Sequence, residues 1–195
     1  LTRILPYVSA ILFAWHPGSQ GATAAVDILL GKVNPSGKLP ISYPRSEGQI
    51  PVHYNAKSTG RTNPRYLDMP VEPLFPFGFG LSYSHFQFSN LALSAKVIRP
   101  GDTVSVSVRV TNTGERAGDE VVQCYIQDCV SQLTRPVREL KGFQRIHLQP
   151  GDSQEVIFKL GINELSYYGP GGKWTLEPGQ FKVWVGNDSL ASLEE

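Results

Sequence analysis

The sequence has almost no net charge, few cysteines and no long apolar run, and each shortage excludes a class of protein. Its 195 residues include 18 Lys or Arg and 17 Asp or Glu. A general nucleic-acid-binding protein would be strongly basic, so we exclude that class. No run of about 18 apolar residues is present, so the sequence predicts no membrane-spanning helix. A hydrophobic content of 41% is enough for a packed core and excludes a disordered chain.

The two cysteines and four histidines predict neither a disulfide framework nor a metal site. Cys124 and Cys129 would lie about 16 Å apart on one extended strand, which is beyond disulfide reach. Across a turn they could still meet, so we favour free thiols and keep a disulfide as the alternative. No spacing of cysteine and histidine resembles a zinc site. We therefore expect no metal and no cofactor.

Glycine and proline are more frequent than usual, which favours a chain rich in turns and strands. Apolar and polar residues alternate over residues 104–111, and shorter alternating stretches surround residues 122–126, 156–160 and 181–185. Pro-Gly pairs precede several of these stretches, as tight turns require. This pattern predicts an immunoglobulin-like or fibronectin-III-like β-sandwich.

The first part of the chain has a different pattern. Residues 8–15 are apolar almost without alternation, which predicts a strand buried on both faces of a parallel sheet. A Pro-Gly loop follows, and residues 22–30 have the apolar spacing of a helix that ends at Gly31. A single strand–helix unit cannot bury its own strand. We therefore expect the end of an α/β domain, and a sequence that continues a longer protein.

No residue pattern in the chain predicts a catalytic site. The acidic residues are scattered, whereas catalysis by paired carboxylates needs two acids held about 5–10 Å apart. Loop residues 17–21 lack the ends of a phosphate-binding or dinucleotide-binding loop. Trp15 follows the predicted strand at the edge where α/β sheets bind ligands. Packing in a core is the alternative interpretation of this side chain.

Three groups of motifs, in this order, resemble the C-terminal part of glycoside hydrolase family 3. Residues 15–21 (WHPGSQG), 25–31 (AVDILLG) and 34–40 (NPSGKLP) resemble the end of the second domain of that family. Residues 73–83 (PLFPFGFGLSY) resemble the entry into its third domain. Residues 110–114, 140–143 and 177–179 resemble its fibronectin-III-like domain. Residues 47–52 and 59–61 are most similar to the bacterial periplasmic β-glucosidases.

The resemblance implies a mainly β chain with three parts. Residues 1–44 would be the C-terminal end of the α/β domain of the family, residues 45–85 an irregular connector, and residues 86–190 a fibronectin-III-like β-sandwich. The parent protein would be a retaining, exo-acting β-glycosidase, with β-glucosidase preferred over β-xylosidase. Its two catalytic carboxylates would lie upstream of Leu1. We therefore expect no catalytic residue within this chain, and the chain alone would be inactive.

The resemblance also implies partners and a location. The partners would be the N-terminal catalytic domains and, through the whole enzyme, a β-linked glucoside or oligosaccharide, in the periplasm or outside the cell. Trp15, Arg61 and Arg65 are candidates for the rim of the substrate pocket, because Trp stacks on sugars and Arg donates paired hydrogen bonds. Interdomain packing or ion pairing is the alternative role of each. The competing hypothesis for the whole chain is a stand-alone β-sandwich that binds carbohydrate or protein.

Overall fold

The structure, a computed structural model, describes residues 1–58 and 68–194. Two 3-10 turns occupy Leu5–Tyr7 and Glu47–Gln49, and the helix α1 spans Gly21–Leu29. The remaining elements all follow residue 85. They are β1 Phe86–Leu93, β2 Val104–Asn112, β3 Gly118–Asp128, β4 Glu139–Leu148, β5 Ser153–Leu160, α2 Ile162–Leu165, β6 Tyr167–Tyr168, β7 Trp174–Thr175, β8 Phe181–Gly186 and β9 Leu193–Glu194.

The strands form an antiparallel β-sandwich. One sheet has the order β1-β2-β5, the other has the order β4-β3-β8-β9, and β6 pairs with β7 as a separate hairpin. Every second residue of β2 is buried, and the four valines among them pack against buried residues of β3 and β8 in one core. This confirms the predicted mainly β fold. Residues of β2 alternate between apolar and polar because the strand has one face toward the core and one face away from it.

The prediction of a strand at residues 8–15 is wrong. No strand includes these residues, and Leu12 and Trp15 are exposed. A strand that is apolar on both faces needs neighbouring strands and covering helices, and within residues 1–58 and 68–194 every named strand belongs to the sandwich or its hairpin. The helix prediction is confirmed within one residue. Gly31 follows the helix at φ +70, the left-handed conformation that ends helices.

Polar contacts hold the first part of the chain to the sandwich. The Asn34 side chain donates to the backbone oxygen of Ala117 at 3.0 Å and accepts from the Ser82 hydroxyl at 2.8 Å. Lys38 pairs with Glu120 at 2.7 Å, and both side chains are largely buried. These contacts fix the segment beyond α1 against strand β3 and the loop before it.

The connector packs on the same sheet in its described part. The Tyr54 ring stacks on Phe77 with centroids 4.3 Å apart and meets Tyr125 edge-on at 5.9 Å. The Gln123 side-chain amide donates to the backbone oxygens of Gly78 and Asn187, at 3.2 and 2.6 Å. Through Tyr54, Phe77 and Gly78, the described residues of the connector are therefore packed against this sheet.

Candidate functional site

Trp15 lies in a bend just before the loop that leads into α1. Its side chain is 57% exposed. Its φ of 46 places it in the left-handed region, which is uncommon for a residue with a side chain. The indole therefore presents a large apolar face to solvent from a constrained backbone. Such a surface suits stacking against the apolar face of a sugar ring or packing against another domain.

A row of aromatic rings supports Trp15 from behind. Phe13 stacks on Trp15 with centroids 5.8 Å apart and contacts Tyr43 at 5.1 Å. Tyr43 meets Phe75 at 6.2 Å, and Phe75 stacks on Phe79 at 5.3 Å. Backbone hydrogen bonds between Tyr43 and Phe75 fix the middle of this row. The row thus ties the exposed indole to the end of the connector.

The other two candidates, Arg61 and Arg65, lie outside the described residues. Of the three candidates, only Trp15 is therefore among the described residues. The structure shows the aromatic rings that pack beside it. The sequence signal for Trp15 was its position after an apolar run. Apart from Phe13, the aromatic row comes from Tyr43, Phe75 and Phe79, which are more than 25 positions from Trp15, so no local pattern could reveal it.

The structure also brings together carboxylates that the sequence left scattered. Asp128 ends β3 and Glu139 begins β4, so the hairpin places both beside Arg135 in the connecting loop. Arg135 Nη2 lies 2.6 Å from Glu139 Oε2, and its Nε lies 3.9 Å from Asp128 Oδ2. Lys141 lies 3.6 Å from Glu139. The pairing of β3 with β4 is the signal that could have predicted this cluster.

The charges of this cluster point to a structural role. Burial raises the pKa of Asp128 above its ordinary value, and the nearby Arg135 and a backbone hydrogen bond offset only part of this rise. Arg135 also covers the ring of Tyr167 at 4.6 Å. The guanidinium is thus held between carboxylates and an aromatic ring, an arrangement that stabilises this end of the sandwich rather than leaving a carboxylate free to react.

Metal binding and membrane insertion find no support in the described ranges. No group of three or more His, Cys, Asp or Glu side chains there could hold a metal ion. Within the same ranges, every helix is too short or too polar to cross a membrane. Cys124 and Cys129 are free thiols, which confirms the prediction that they are not bonded to each other.

Two family models match the chain and together cover most of it. Residues 2–83 match the glycosyl hydrolase family 3 C-terminal domain. Residues 120–189 match a fibronectin type III-like domain. The two matches occur in the same order as the two parts of the fold.

Named relatives match over nearly the whole chain. A periplasmic β-glucosidase of Salmonella typhimurium is 47% identical over 189 residues, covering 92% of this chain and 25% of the relative. A β-xylosidase of Formosa agariphila is 43% identical, covering 98% of this chain and 27% of the relative. The crystal structure of a β-glucosidase from Listeria innocua in complex with glucose superposes with a TM-score of 0.87 at 40% identity, covering 91% of this chain and 26% of that one.

The chain therefore spans about a quarter of the length of these relatives. The match of residues 2–83 also bears on the competing hypothesis. A stand-alone binding sandwich would not need those residues, so that alternative is not favoured.

Proposed function

The chain belongs to glycoside hydrolase family 3, and on that premise we propose that it is the C-terminal part of a retaining, exo-acting β-glycosidase that removes terminal β-linked sugars. A β-glucosidase is the preferred activity, because relatives with that name include the Salmonella and Listeria proteins. The observation that carries the proposal is the joint match of both parts of the fold to relatives four times as long as this chain.

In the proposed reaction, one carboxylate attacks the anomeric carbon while a carboxylic acid protonates the departing glycosidic oxygen. A covalent glycosyl-enzyme results. Water then attacks the anomeric carbon and displaces the enzyme carboxylate, while the group that had acted as the acid takes the proton from this water. We assign neither carboxylate to this chain. The family model for residues 2–83 describes a C-terminal domain, and the described carboxylate cluster is bound to Arg135.

The proposed role of this chain is to support the catalytic domains and to border their pocket. Large apolar side chains are exposed on the first 50 residues, including Tyr7, Leu29 and Leu30, each at least 66% exposed. Exposed apolar surface of this extent fits contact with further domains of the enzyme. The similarity to a periplasmic enzyme supports a location in the periplasm or outside the cell.

Activity assays test this proposal directly. We would compare the 195-residue chain with a longer protein that contains it, using nitrophenyl β-glucoside and β-xyloside. We expect turnover by the longer protein and none by the chain alone. Turnover by the chain alone would place the catalytic carboxylates within it and overturn the assignment. A longer protein without glycosidase activity would overturn the proposed reaction.

The role of Trp15 needs a separate comparison in the longer protein. If Trp15 borders the substrate, Trp15→Ala raises KM about tenfold or more with a smaller change in kcat, and Trp15→Phe restores part of the loss. Trp174→Ala is the control, because Trp174 is similarly exposed but lies on the β6–β7 hairpin. Arg61→Lys and Arg65→Lys keep the charge but lose paired hydrogen bonds, so a rise in KM would support a contact with substrate.

A further inference from the structure

A cavity of about 250 Å³ lies between the connector and the sandwich. Its polar walls include Ser42, His53, Arg138 and Ser189. Its apolar walls include Tyr54 and prolines of the connector. The volume is below the range of drug-sized pockets and suits a small molecule or ion. The family comparison does not describe this cavity, and the proposed glycosidase reaction does not use it.

Arg138 brings a positive charge to this cavity without a carboxylate partner in the described part of the chain. Its Nη1 donates to the backbone oxygens of Ser189 and Ala191, at 2.7 and 2.8 Å. Its guanidinium carbon lies 4.3 Å from the centroid of the Trp184 ring. Hydrogen bonds among residues 1–58 and 68–194 therefore leave the Nε and Nη2 donors of this side chain available.

The two carboxylates near Arg138, those of Glu194 and Asp188, accept hydrogen bonds from other groups. Glu194 accepts from Lys182 Nζ and from the indole nitrogen of Trp184, each at 2.9 Å. Asp188 accepts from the backbone nitrogen of Leu190 at 2.7 Å. Burial lowers the pKa of Arg138, although these two carboxylates and Tyr125 raise it. The half-buried guanidinium of Arg138 can therefore donate hydrogen bonds from Nε and Nη2 to an added anion and attract its charge.

Ser42 supplies a second, independent observation. The residue is only 8% exposed, and its hydroxyl oxygen is buried with no hydrogen-bond partner in the described part of the chain. Buried hydroxyl groups nearly always have a partner in native proteins. Ser42 lines the cavity, so rotation about its Cα–Cβ bond would turn the hydroxyl toward a molecule inside it, which can then supply that partner.

From these features we propose that the cavity binds a small oxyanion, either a carboxylate on a small polar molecule or a phosphate. The anion's oxygen atoms accept hydrogen bonds from the free donors of Arg138 and from the Ser42 hydroxyl. The exposed His53 lies at the same cavity and can add a further donor. The apolar walls would contact the carbon atoms of an organic anion, whereas phosphate would use the polar walls alone.

Calorimetric titration of the 195-residue chain tests the site. The probes are sodium phosphate and sodium glucuronate, with sodium chloride at equal ionic strength and glucose as the uncharged counterpart of glucuronate. We expect saturable binding of at least one anion, with a matching rise in the unfolding temperature, and none of chloride or glucose. Phosphate binding alone would identify an inorganic anion site, and glucuronate binding alone would identify an organic carboxylate site. Binding of neither anion, or of glucose as tightly as glucuronate, would overturn the proposal.

Two variants locate the binding in this cavity. Arg138→Gln should weaken binding at least tenfold, whereas Arg116→Gln should not. Arg116 is a matched control because it also lies over an aromatic ring, at 5.7 Å from that of Tyr83, and donates to the backbone oxygen of Gly31.

Ser42→Val covers the case in which Arg138→Gln does not fold, because it removes the unpartnered hydroxyl and narrows the cavity. It should also weaken binding about tenfold. Unchanged binding in Ser42→Val, or an equal loss in Arg116→Gln, would contradict the assignment.

Discussion

Lys38 Nζ lies 2.7 Å from Glu120 Oε1, and this ion pair joins the segment before the connector to strand β3. The Glu120 side chain is 4% exposed and that of Lys38 is 12% exposed. The same carboxylate oxygen accepts from the backbone nitrogen of Val121 at 2.7 Å. Removal of either charge would leave the other one buried without a counter-ion. The pair therefore holds the segment around Lys38 in a fixed position against β3.

Replacement of Lys38 by Met should therefore lower the free energy of unfolding by about 3–5 kcal/mol. Urea unfolding of the chain measures this loss. Lys32→Met is the control, because Lys32 pairs with Asp27 while 64% exposed, and it should cost less than about 1 kcal/mol. The double variant Lys38→Met/Glu120→Leu should recover most of the loss. Equal effects of Lys38→Met and Lys32→Met would contradict the buried-pair account.

Asn112 is fully buried and uses all of its hydrogen-bonding capacity. Its amide donates to the backbone oxygens of Arg116 and Leu148 and accepts from the Ser84 hydroxyl and the Gly114 nitrogen. We expect Asn112→Leu to cost at least about 3 kcal/mol, since two buried and two partly buried groups lose their partner. Thermal or urea unfolding measures this cost. The neighbouring Thr111→Val removes only a bond to Ser153 and should cost about 1 kcal/mol at most; a similar cost for both variants would refute the explanation.

The two thiols should differ in reactivity. Burial raises the pKa of Cys124 to about 12, and its side chain is fully buried, whereas Cys129 is half-buried. Because the thiolate is the reactive form, iodoacetamide at pH 8 should modify Cys129 in the native chain and leave Cys124 untouched. Mass spectrometry should find one modification in the native chain and two in urea. Native Cys129→Ser should remain unmodified, and labelling of Cys124 in that variant would show that it is accessible.

Stability at acid pH should depend on Asp119. Burial raises the pKa of this carboxyl, but hydrogen bonds and charge from His147 and Arg145 outweigh it and hold the pKa below its ordinary value of 3.8. A lowered pKa in the folded state stabilises the fold above the unfolded value, and this stability is lost as the pH falls through the folded value.

Between about pH 5 and pH 3 the native chain should therefore lose stability more steeply than Asp119→Asn does. Urea unfolding at a series of pH values measures both slopes. Asp68→Asn, in an exposed part of the connector, is the control and should follow the native chain. Parallel slopes for the native chain and Asp119→Asn would refute the role of this carboxyl.

The sandwich was predictable because its strands carry their own signal. The valines of β2 alternate with polar residues, and the glycines at 101 and 151 adopt the positive φ that their turns require. Strand β1 has no clean alternation, because a register shift between Ser89 and Ala92 interrupts it, with Asn90 at φ 54. A bulge of this kind changes which face each side chain occupies, so a period-two pattern fails there.

The candidate site was less predictable because it depends on contacts between distant residues. The apolar run at residues 8–15 indicates burial, but burial needs strands that the described part of this chain does not supply. The cavity depends on Ser42, His53 and Arg138, which only the folded connector brings together. Local patterns predict elements, whereas sites formed between elements become visible only in the fold.

The stacking of Arg138 on Trp184 gives the chain an optical reporter. Of the three tryptophans, Trp15 and Trp174 are 57% and 71% exposed, while Trp184 is 6% exposed. Acrylamide should therefore quench the first two and spare the third. The emission that survives quenching comes from an indole in contact with the guanidinium at the cavity, so a change in that emission on addition of an anion would report occupancy without any label.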